Sequence, residues 1–568
     1  MNEPIISFKN FSFRYLSQSE ETLHNINLDI YKGEKICIVG PSGSGKSTLG
    51  HCLNGLIPFS YKGEMKGSLE VCGLLTSRQN IFKMSKKIGT VLQDSDGQFV
   101  GLSVGGDIAF VLENDCVSVD EMRERVKNIA KMVDMDEHIS LAPHELSGGQ
   151  KQRVALAGVM IDDVDILLFD EPLANLDPAT GKSAIEIIDD IHRSTGKTIV
   201  IIEHRLEDVL HRAIDRIIVI NDGYVIEDKS PNELLCTDIL KNTGIREPLY
   251  LTALFYAGIE FKKENNPENI DKLEIEGVKE RLLSWQNSVP LKEKLSEKPS
   301  ALKLSNVSFS YDGKKNIVSD INFDVKQGEM ISIVGKNGAG KSTLTKLICG
   351  FEDIDKGEIL LSDKDVGKLS IYERASFVGL VMQNPNMMIS LSKIADEVGL
   401  GLKLRGFPEN EIREKVEKVL SVCGLSPFID WPIQALSYGQ KKRVTIASIL
   451  VLEPKVIILD EPTAGQDYRH YSEMMEFLRE LNERGNTVVL ITHDMHLMLE
   501  YTPRAIVLAD GKIIADAPSY KVLTDEDVIK RANLKETSLY TLAKRVGIED
   551  GTSFVQSFIN YEKGALKK

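Results

Sequence analysis

One glycine-rich segment occurs twice in this chain, and that repetition constrains the fold more than any other feature. Residues 40–48 read GPSGSGKST and residues 335–343 read GKNGAGKST. Each follows a short apolar run, at 36–39 and 331–334, which predicts a buried strand leading through a loop into a helix. Three further segments recur in the same order: LSGGQ at 146–150 with LSYGQ at 436–440, LLFDEP at 167–172 with IILDEP at 457–462, and His204 with His493. The chain is therefore predicted to hold two copies of one domain.

The repeated GxxxxGK[ST] pattern, placed between a strand and a helix, is typical of a phosphate-binding loop. Successive backbone amides and the helix N-terminus form a concave positive site for phosphate oxygens. Lys46 and Lys341 are predicted to neutralise the β- and γ-phosphates, and Ser47 and Ser342 to ligate Mg²⁺. The other predicted nucleotide contacts in the two loops are Gly40, Pro41, Ser42, Gly43, Ser44, Gly45, Thr48, Gly335, Lys336, Asn337, Gly338, Ala339, Gly340 and Thr343.

An acidic pair ends a second apolar run in each copy. Asp170 and Asp460 come at the predicted strand tips, where a carboxylate can hold a metal ion. Glu171 and Glu461 follow directly and suit the orientation or deprotonation of an attacking water molecule. An acidic pair alone is only moderately informative, but its position after a phosphate-binding loop in both copies makes the prediction of a hydrolytic site specific.

A histidine after an apolar strand is more often structural than functional. Here both copies place one at nearly the same distance beyond the aspartate, at His204 and His493, which favours function. Together, the phosphate-binding loop, the LSGGQ segment, the acidic pair and this histidine resemble the nucleotide-binding domain of ABC ATPases over nearly all of both repeats. The resemblance implies an α/β fold: two P-loop NTPase (ABC-type) nucleotide-binding domains, each with a helical signature subdomain.

Further site residues are implied by that resemblance. Gln93 and Gln383 match the family's metal- and water-sensing glutamine, and Tyr15 and Tyr311 match its adenine-stacking aromatic residue. In this family ATP lies between the phosphate-binding loop of one domain and the LSGGQ segment of the other. One implied site combines Lys46, Ser47, Gln93, Asp170, Glu171 and His204 with Ser437, Gly439 and Gln440. The other combines Lys341, Ser342, Gln383, Asp460, Glu461 and His493 with Ser147, Gly149 and Gln150. The implied cofactors are ATP and Mg²⁺, the metal held by Ser47, Gln93 and Asp170 and by Ser342, Gln383 and Asp460.

The two copies are not identical, because Tyr438 replaces the first glycine of the LSGGQ segment. Both glutamates are present, so the sequence predicts two hydrolytic sites with unequal rates.

The repeat continues beyond the histidine into a short segment with helical character. Residues 246–260 match residues 535–549, which predicts a small C-terminal helical appendage on each domain. The predicted organisation is nucleotide-binding domain 1 at 1–230, appendage 1 at 231–260, linker at 261–300, nucleotide-binding domain 2 at 301–519, and appendage 2 with the tail at 520–568. The linker is predicted to be a mostly flexible tether, although apolar residues at partly helical spacing in 270–285 are compatible with a docked helix.

The subgroup is indicated by the residues that follow each glutamine. The segments QDSDGQF at 93–99 and GDIAF at 106–110 resemble the QNPDxQ…EDVAFG pattern of cobalt-type or energy-coupling-factor (ECF) importer ATPases. The second copy keeps QNPN but has Met388 where that pattern has glutamine. The resemblance implies an energy-coupling subunit that pairs with integral membrane and substrate-binding subunits, peripheral on the cytoplasmic side of the cell membrane. Its cargo stays open among cobalt, nickel, a thiamine precursor and other vitamins.

Charge and the integrity of the second phosphate-binding loop argue against two alternative functions. A ribosome-associated tandem ABC translation factor has a long basic linker, whereas residues 231–300 hold 10 Lys or Arg against 12 Asp or Glu and the whole chain carries −15. That balance argues against a nucleic-acid partner. A tandem sugar-importer ATPase usually has a degenerate second phosphate-binding loop, and residues 335–343 are intact. No run of about 18 apolar residues occurs, so no membrane-spanning helix is predicted.

Overall fold

The computed structural model describes residues 3–93, 96–174, 176–290, 298–463 and 466–565. The chain divides into two compact units. Unit 1 comprises Met1–Leu282 with Gly465–Arg469, and unit 2 comprises Leu283–Ala464 with His470–Lys568. None of the helices within the described ranges combines the length and the apolar character needed to cross a membrane.

The described residues of unit 1 form ten strands and short to medium helices. Its strands are β1 (Pro4–Tyr15), β2 (Leu23–Tyr31), β3 (Lys35–Val39), β4 (Gly63–Val71), β5 (Leu74–Leu75), β6 (Ile88–Val91), β7 (Ile166–Asp170), β8 (Thr198–Ile202), β9 (Arg216–Asn221) and β10 (Tyr224–Lys229). Its helices are α1 (Lys46–Leu53), α2 (Leu56–Phe59), α3 (Ile81–Ser85), α4 (Val104–Asn114), α5 (Val119–Met132), α6 (Gly148–Met160), α7 (Pro178–Thr195), α8 (Leu206–Val209), α9 (Pro231–Leu234), α10 (Ile239–Asn242) and α11 (Leu249–Tyr256). Helix α12 (Val278–Ser288) follows in the linker.

Unit 2 repeats this element order. Its strands are β11 (Ser300–Phe309), β12 (Val318–Lys326), β13 (Met330–Val334), β14 (Lys356–Leu361), β15 (Lys364–Asp365), β16 (Val378–Val381), β17 (Val456–Asp460), β18 (Thr487–Ile491), β19 (Arg504–Ala509) and β20 (Lys512–Pro518). Its helices are α13 (Lys341–Cys349), α14 (Ile371–Arg374), α15 (Ile394–Leu404), α16 (Glu409–Val422), α17 (Tyr438–Leu450), α18 (Tyr468–Glu483), α19 (Met495–Tyr501), α20 (Ser519–Val522), α21 (Glu526–Ala532), α22 (Ser538–Val546) and α23 (Gly551–Ala565).

Two sheets form the body of each unit. In unit 1 an antiparallel sheet has the order β2-β1-β4-β5, and a second sheet has the order β10-β9-β3-β8-β7-β6, parallel except at β9–β10. Unit 2 has the equivalent sheets, β12-β11-β14-β15 and β16-β17-β18-β13-β19-β20. The central strands β3, β7 and β8 are apolar and buried because both faces of a parallel sheet are covered. Since parallel strands end at one edge, the residues that follow them are brought together there.

Three helices in each unit pack together against the larger sheet, and in unit 2 their apolar side chains form one cluster with residues of the strands. In unit 2, Val398 of α15, Val416 of α16 and Val444 of α17 are buried together. In unit 1 the corresponding helices are α4, α5 and α6, with Ile108 and Val154 buried. These are the helical signature subdomains that the resemblance implied, because the LSGGQ and LSYGQ segments begin α6 and α17.

The linker differs from the flexible tether expected from its composition. Over the part that the structure describes, residues 278–288 form α12, in which Leu282 and Trp285 are buried. The Trp285 ring packs edge-on against Phe554, with centroids 5.9 Å apart, and against Tyr561, with centroids 5.6 Å apart. The burial of these apolar side chains offsets the entropy cost of ordering the segment. Residues 291–297 of the linker lie outside the described residues.

Candidate functional site

The phosphate-binding loops join β3 to α1 and β13 to α13. Lys46 Nζ donates hydrogen bonds to Gly40 O at 2.8 Å and to Pro41 O at 2.9 Å. Lys341 Nζ makes the same pair of contacts, to Gly335 O at 2.7 Å and Lys336 O at 3.0 Å. Each lysine is buried and curls back across its own loop, which places the ammonium against two loop carbonyl oxygens.

The glycines of these loops are required by close backbone approach. A Cβ on Gly40 would lie 2.2 Å from Ile220 O, and one on Gly335 would lie 2.1 Å from Leu508 O. Gly45 precedes α1 with φ +100°, a left-handed conformation that glycine adopts without strain. Both loops therefore depend on glycine for reasons visible in the backbone.

The acidic pairs lie at the carboxyl ends of β7 and β17. Burial and the neighbouring charge of Glu171 raise the pKa of Asp170 to about 6, and burial also raises the pKa of Asp460. The Oδ1 atom of Asp170 is buried and has no hydrogen-bond partner among the described residues. Glu171 and Glu461 both have positive φ, +50° and +46°. A left-handed glutamate is uncommon, and strained backbone of this kind clusters at functional sites.

A histidine contacts the glutamate in each unit. His204 Nδ1 lies 3.5 Å from Glu171 Oε1, and His493 Nδ1 lies 2.7 Å from Glu461 Oε1. Burial opposes ionisation of Glu171, but the hydrogen bond with His204 and the nearby positive charges of His204, Lys46 and Arg205 together lower the pKa of Glu171. Burial also opposes the charged form of His204, yet the hydrogen bond with Glu171 and the negative charges of Glu203 and Glu171 together raise the pKa of this histidine. Gln93 Nε2 donates to the other carboxylate oxygen of Glu171.

The two tyrosines lie beside the helices that follow the phosphate-binding loops. Tyr15 Oη is 3.1 Å from Thr48 Oγ1 on α1. The Tyr311 ring is exposed and lies 5.8 Å from Lys346 Nζ on α13. Adenine stacking by these rings stays a prediction.

The signature residues open their helices as capping boxes. Ser147 Oγ accepts from the Gln150 amide at 3.4 Å, and Gln150 Oε1 accepts from the Ser147 amide at 2.9 Å. Ser437 and Gln440 repeat this arrangement at 3.3 and 3.0 Å. Gly149 and Gly439 lie in the first turns, where unpaired amides favour an anion. The structure thus gathers the loop, acidic, glutamine and histidine residues at the strand ends of each unit, and places the signature residues on a separate helix. Their pairing across the two copies stays a prediction.

The sequence patterns described above do not predict a role for Glu203. This buried carboxylate accepts hydrogen bonds from the amides of Leu173 at 3.2 Å, His204 at 3.0 Å and Arg205 at 3.3 Å. In unit 2 the equivalent residue is Thr492, whose hydroxyl donates to Glu461 Oε2 at 3.4 Å. The sequence does distinguish the two positions, because glutamate precedes the repeated histidine in the first copy and threonine precedes it in the second.

Comparisons with known proteins identify the family of the chain. The family described as "ABC transporter" matches residues 23–174 and 318–464, and the family described as "ATP-binding cassette cobalt transporter" matches residues 237–309. The protein CPE1583 of Clostridium perfringens is 58% identical over 561 residues, covering 99% of each chain. A protein of Enterococcus faecalis is 54% identical over 565 residues, also covering 99% of each chain. Both are provisionally named ABC transporter ATP-binding proteins.

A solved structure, described as cbiO1 from Clostridium perfringens and as part of the ABC transporter complex cbiONQ, is 34% identical. The alignment covers 42% of this chain and 95% of the cbiO1 chain, with a TM-score of 0.39. The two family matches and the full-length relatives lead to one conclusion: this chain belongs to the ABC transporter ATP-binding family, as an ATPase with two nucleotide-binding domains of the P-loop NTPase fold.

Proposed function

We propose that this chain is the energy-coupling ATPase subunit of a cobalt-type or ECF-type importer for a metal cation or a vitamin. The observation that carries the proposal is the cobalt-transporter match over residues 237–309, which span α10, α11 and α12, outside the two nucleotide-binding matches. The pattern that follows Gln93 adds support from a separate part of the chain. The subunit would be peripheral, at the cytoplasmic side of the cell membrane, and would work with integral membrane and substrate-binding subunits.

In the proposed reaction, ATP binds at each phosphate-binding loop, and the signature helix of the other copy completes the binding site. Glu171 and Glu461 would accept a proton from the attacking water at a carboxylate oxygen, and His204 and His493 would hold those carboxylates in place. The strained left-handed backbone at the two glutamates is consistent with a position set by function. Closure on two ATP molecules and reopening after hydrolysis would then drive transport.

The residues at the strand end of β7 fit a magnesium ion. The buried Oδ1 of Asp170, which has no hydrogen-bond partner within the described ranges, is an oxygen ligand of the type that Mg²⁺ prefers. Ser47, Gln93 and Asp170 would hold the ion in unit 1, and Ser342, Gln383 and Asp460 would hold it in unit 2. When bound, Mg²⁺ would neutralise phosphate charge.

Apolar side chains are exposed at the same repeat positions in both units. Ile81 and Phe82 on α3 correspond to Ile371 and Tyr372 on α14, and Phe82 and Tyr372 are 60% and 57% exposed. Leu92 and Met382, each directly before the site glutamine, are exposed as well. Grouped exposed apolar residues mark interaction surfaces. We assign these surfaces to cytoplasmic segments of the membrane subunits. A segment that contacts Leu92 or Met382 would touch the residue next to Gln93 or Gln383, and could therefore shift that glutamine.

The test is purification of the chain from native membranes in mild detergent, followed by mass spectrometry. Stoichiometric polytopic membrane proteins are expected. The double variant Phe82→Ser/Tyr372→Ser should lose them and keep ATP binding, whereas Tyr224→Ser, which alters an exposed aromatic residue on β10, should keep them. Recovery of ribosomal proteins and rRNA that survive moderate salt would contradict the proposal in favour of a translation factor.

A further inference from the structure

Two side chains of α17 reach the loop that follows β16 in unit 2. Tyr438 Oη donates to Gln383 O at 3.2 Å. Lys442 Nζ donates to Met382 O at 2.8 Å and to Gln383 O at 2.7 Å. Tyr438 and Lys442 are four residues apart on the helix and therefore share one face. The carbonyl of Gln383 thus accepts two hydrogen bonds from the helix that begins with the signature segment.

Lys442 is an unusual residue in this position because it is only 1% exposed. Burial lowers the pKa of its ammonium to about 8, while the nearby charges of Asp460 and Glu461 act in the opposite direction. A buried ammonium is costly unless its donors are satisfied, and a hydrogen bond from a charged donor is stronger than a neutral one. The contacts with the two loop carbonyls therefore define the position of the loop relative to α17.

Among the described residues of unit 1, the equivalent helix positions show no such connection. Gly148 and Gln152 stand in place of Tyr438 and Lys442, and Gln152 Nε2 donates to Pro172 O at 2.6 Å, away from the loop. The loop after β6 is instead closed by the side chain of Gln98. Its Oε1 accepts from the Leu92 amide at 3.2 Å and its Nε2 donates to Thr90 O at 3.1 Å.

In unit 2 that closing glutamine is replaced by Met388, whose sulfur lies 3.1 Å from the Met382 amide nitrogen. A thioether is a weak hydrogen-bond acceptor and cannot donate. Met388 can therefore replace the hydrogen bond that Gln98 accepts, but not the one that Gln98 donates. The unit that lacks the closing glutamine is the one whose signature helix carries the lysine and the tyrosine.

We propose that Lys442 and Tyr438 are positioning residues for the ATP site of Glu461, which hold Gln383 in register with α17. The inference rests on the proposed function, in which Gln383 serves that site and Ser437 of the same helix serves the other site. It adds an asymmetry to the two-site scheme. The glutamine loop of the first copy is closed by its own residues, whereas that of the second copy follows its signature helix.

The experiment measures ATP turnover by the purified full chain in two backgrounds. Glu171→Gln leaves the Glu461 site to turn over, and Glu461→Gln leaves the Glu171 site. Added to Glu171→Gln, Lys442→Met should lower kcat about tenfold with little change in KM for ATP, because it removes two charged hydrogen bonds that position a site residue. Tyr438→Phe should lower kcat about twofold to threefold, since it removes one neutral hydrogen bond.

Added to Glu461→Gln, Lys442→Met should leave kcat nearly unchanged. A comparable fall in both backgrounds would overturn the inference, because it would indicate general damage to α17, which supplies Ser437 to the other site. An unchanged or raised kcat in the Glu171→Gln background would overturn it as well. Lys418→Met, an exposed lysine on α16, is the matched control. If neither background turns over ATP, the two-site scheme fails.

Amide hydrogen exchange of the full chain without nucleotide decides the positioning role independently of turnover. Lys442→Met should speed exchange in residues 382–388 about tenfold and leave residues 88–92 unchanged, because only the loop of the second copy loses its contacts with Lys442. Equal exchange of residues 382–388 in the variant and the parent chain would overturn the inference even if the proposed function holds.

Discussion

His493 Nδ1 lies 2.7 Å from Glu461 Oε1, so this histidine holds the carboxylate directly at the end of β17. The equivalent atoms of His204 and Glu171 are 3.5 Å apart, and Glu171 also accepts a hydrogen bond from Gln93. The two glutamates occupy the same repeat position but have different partners. The proposed general bases are therefore held by different contacts, and unequal rates at the two sites stay a prediction.

The first prediction concerns the two glutamates. Glu171→Gln and Glu461→Gln should each lower phosphate release by a different amount, and the double variant should lower it at least about a hundredfold because a general base is lost at both sites. Glu417→Gln, an exposed residue of α16, should have no effect. The two-site scheme fails if one substitution alone abolishes turnover and the other changes nothing.

The second prediction concerns pH and Asp170. Its carboxyl pKa is raised from 3.8 to about 6 by burial and by Glu171, so stability from this group is present at low pH and is lost as the pH rises through about 6. Asp170→Asn should raise the free energy of unfolding by about 2 kcal/mol at pH 8, with a smaller gain towards pH 4. Denaturant unfolding without Mg²⁺ and ATP measures this difference. A gain that is equal at both pH values would contradict the assignment.

The third prediction concerns the linker helix. Trp285→Ala removes a buried ring that packs against Phe554 and Tyr561, and should cost about 3 kcal/mol of the stability of unit 2. Thermal unfolding of the full chain is the measurement. Glu280→Ala, exposed on the same helix, serves as the control. An unchanged melting temperature for Trp285→Ala would show that α12 is not docked.

The fourth prediction concerns Glu203. Because this carboxylate accepts three amide hydrogen bonds, Glu203→Ala should lower stability by about 3 kcal/mol and reduce turnover. Glu203→Gln keeps the shape and one acceptor oxygen, and should recover part of both. Equal effects of the two substitutions on stability would argue against the hydrogen-bonding role.

The parts of the site that could be predicted from sequence are those encoded locally. Lys46 and Glu171 belong to short patterns in which residue type and spacing carry the chemistry, and repetition doubled the signal. Lys442 and Glu203 could not be found in this way, because their roles depend on which carbonyls and amides the fold brings to them. The linker is intermediate. The spacing of Leu273, Val278, Leu282 and Leu283 is compatible with a helix, but only the packing of Trp285 against distant aromatic residues decides whether that helix forms.

At Glu171 and Glu461, the left-handed backbone and the need for a long acidic side chain favour different residue types. Glycine, asparagine and aspartate adopt this conformation most readily, but none of them has the length of a glutamate side chain. A substitution that relaxes the backbone therefore shortens or removes the acid, and one that keeps the length keeps the strain, on the order of 1 kcal/mol at each position. Replacing either glutamate by glycine should thus produce a chain that is more stable and unable to deprotonate water there. At these two positions, a substitution cannot increase both the stability of the fold and the catalytic activity.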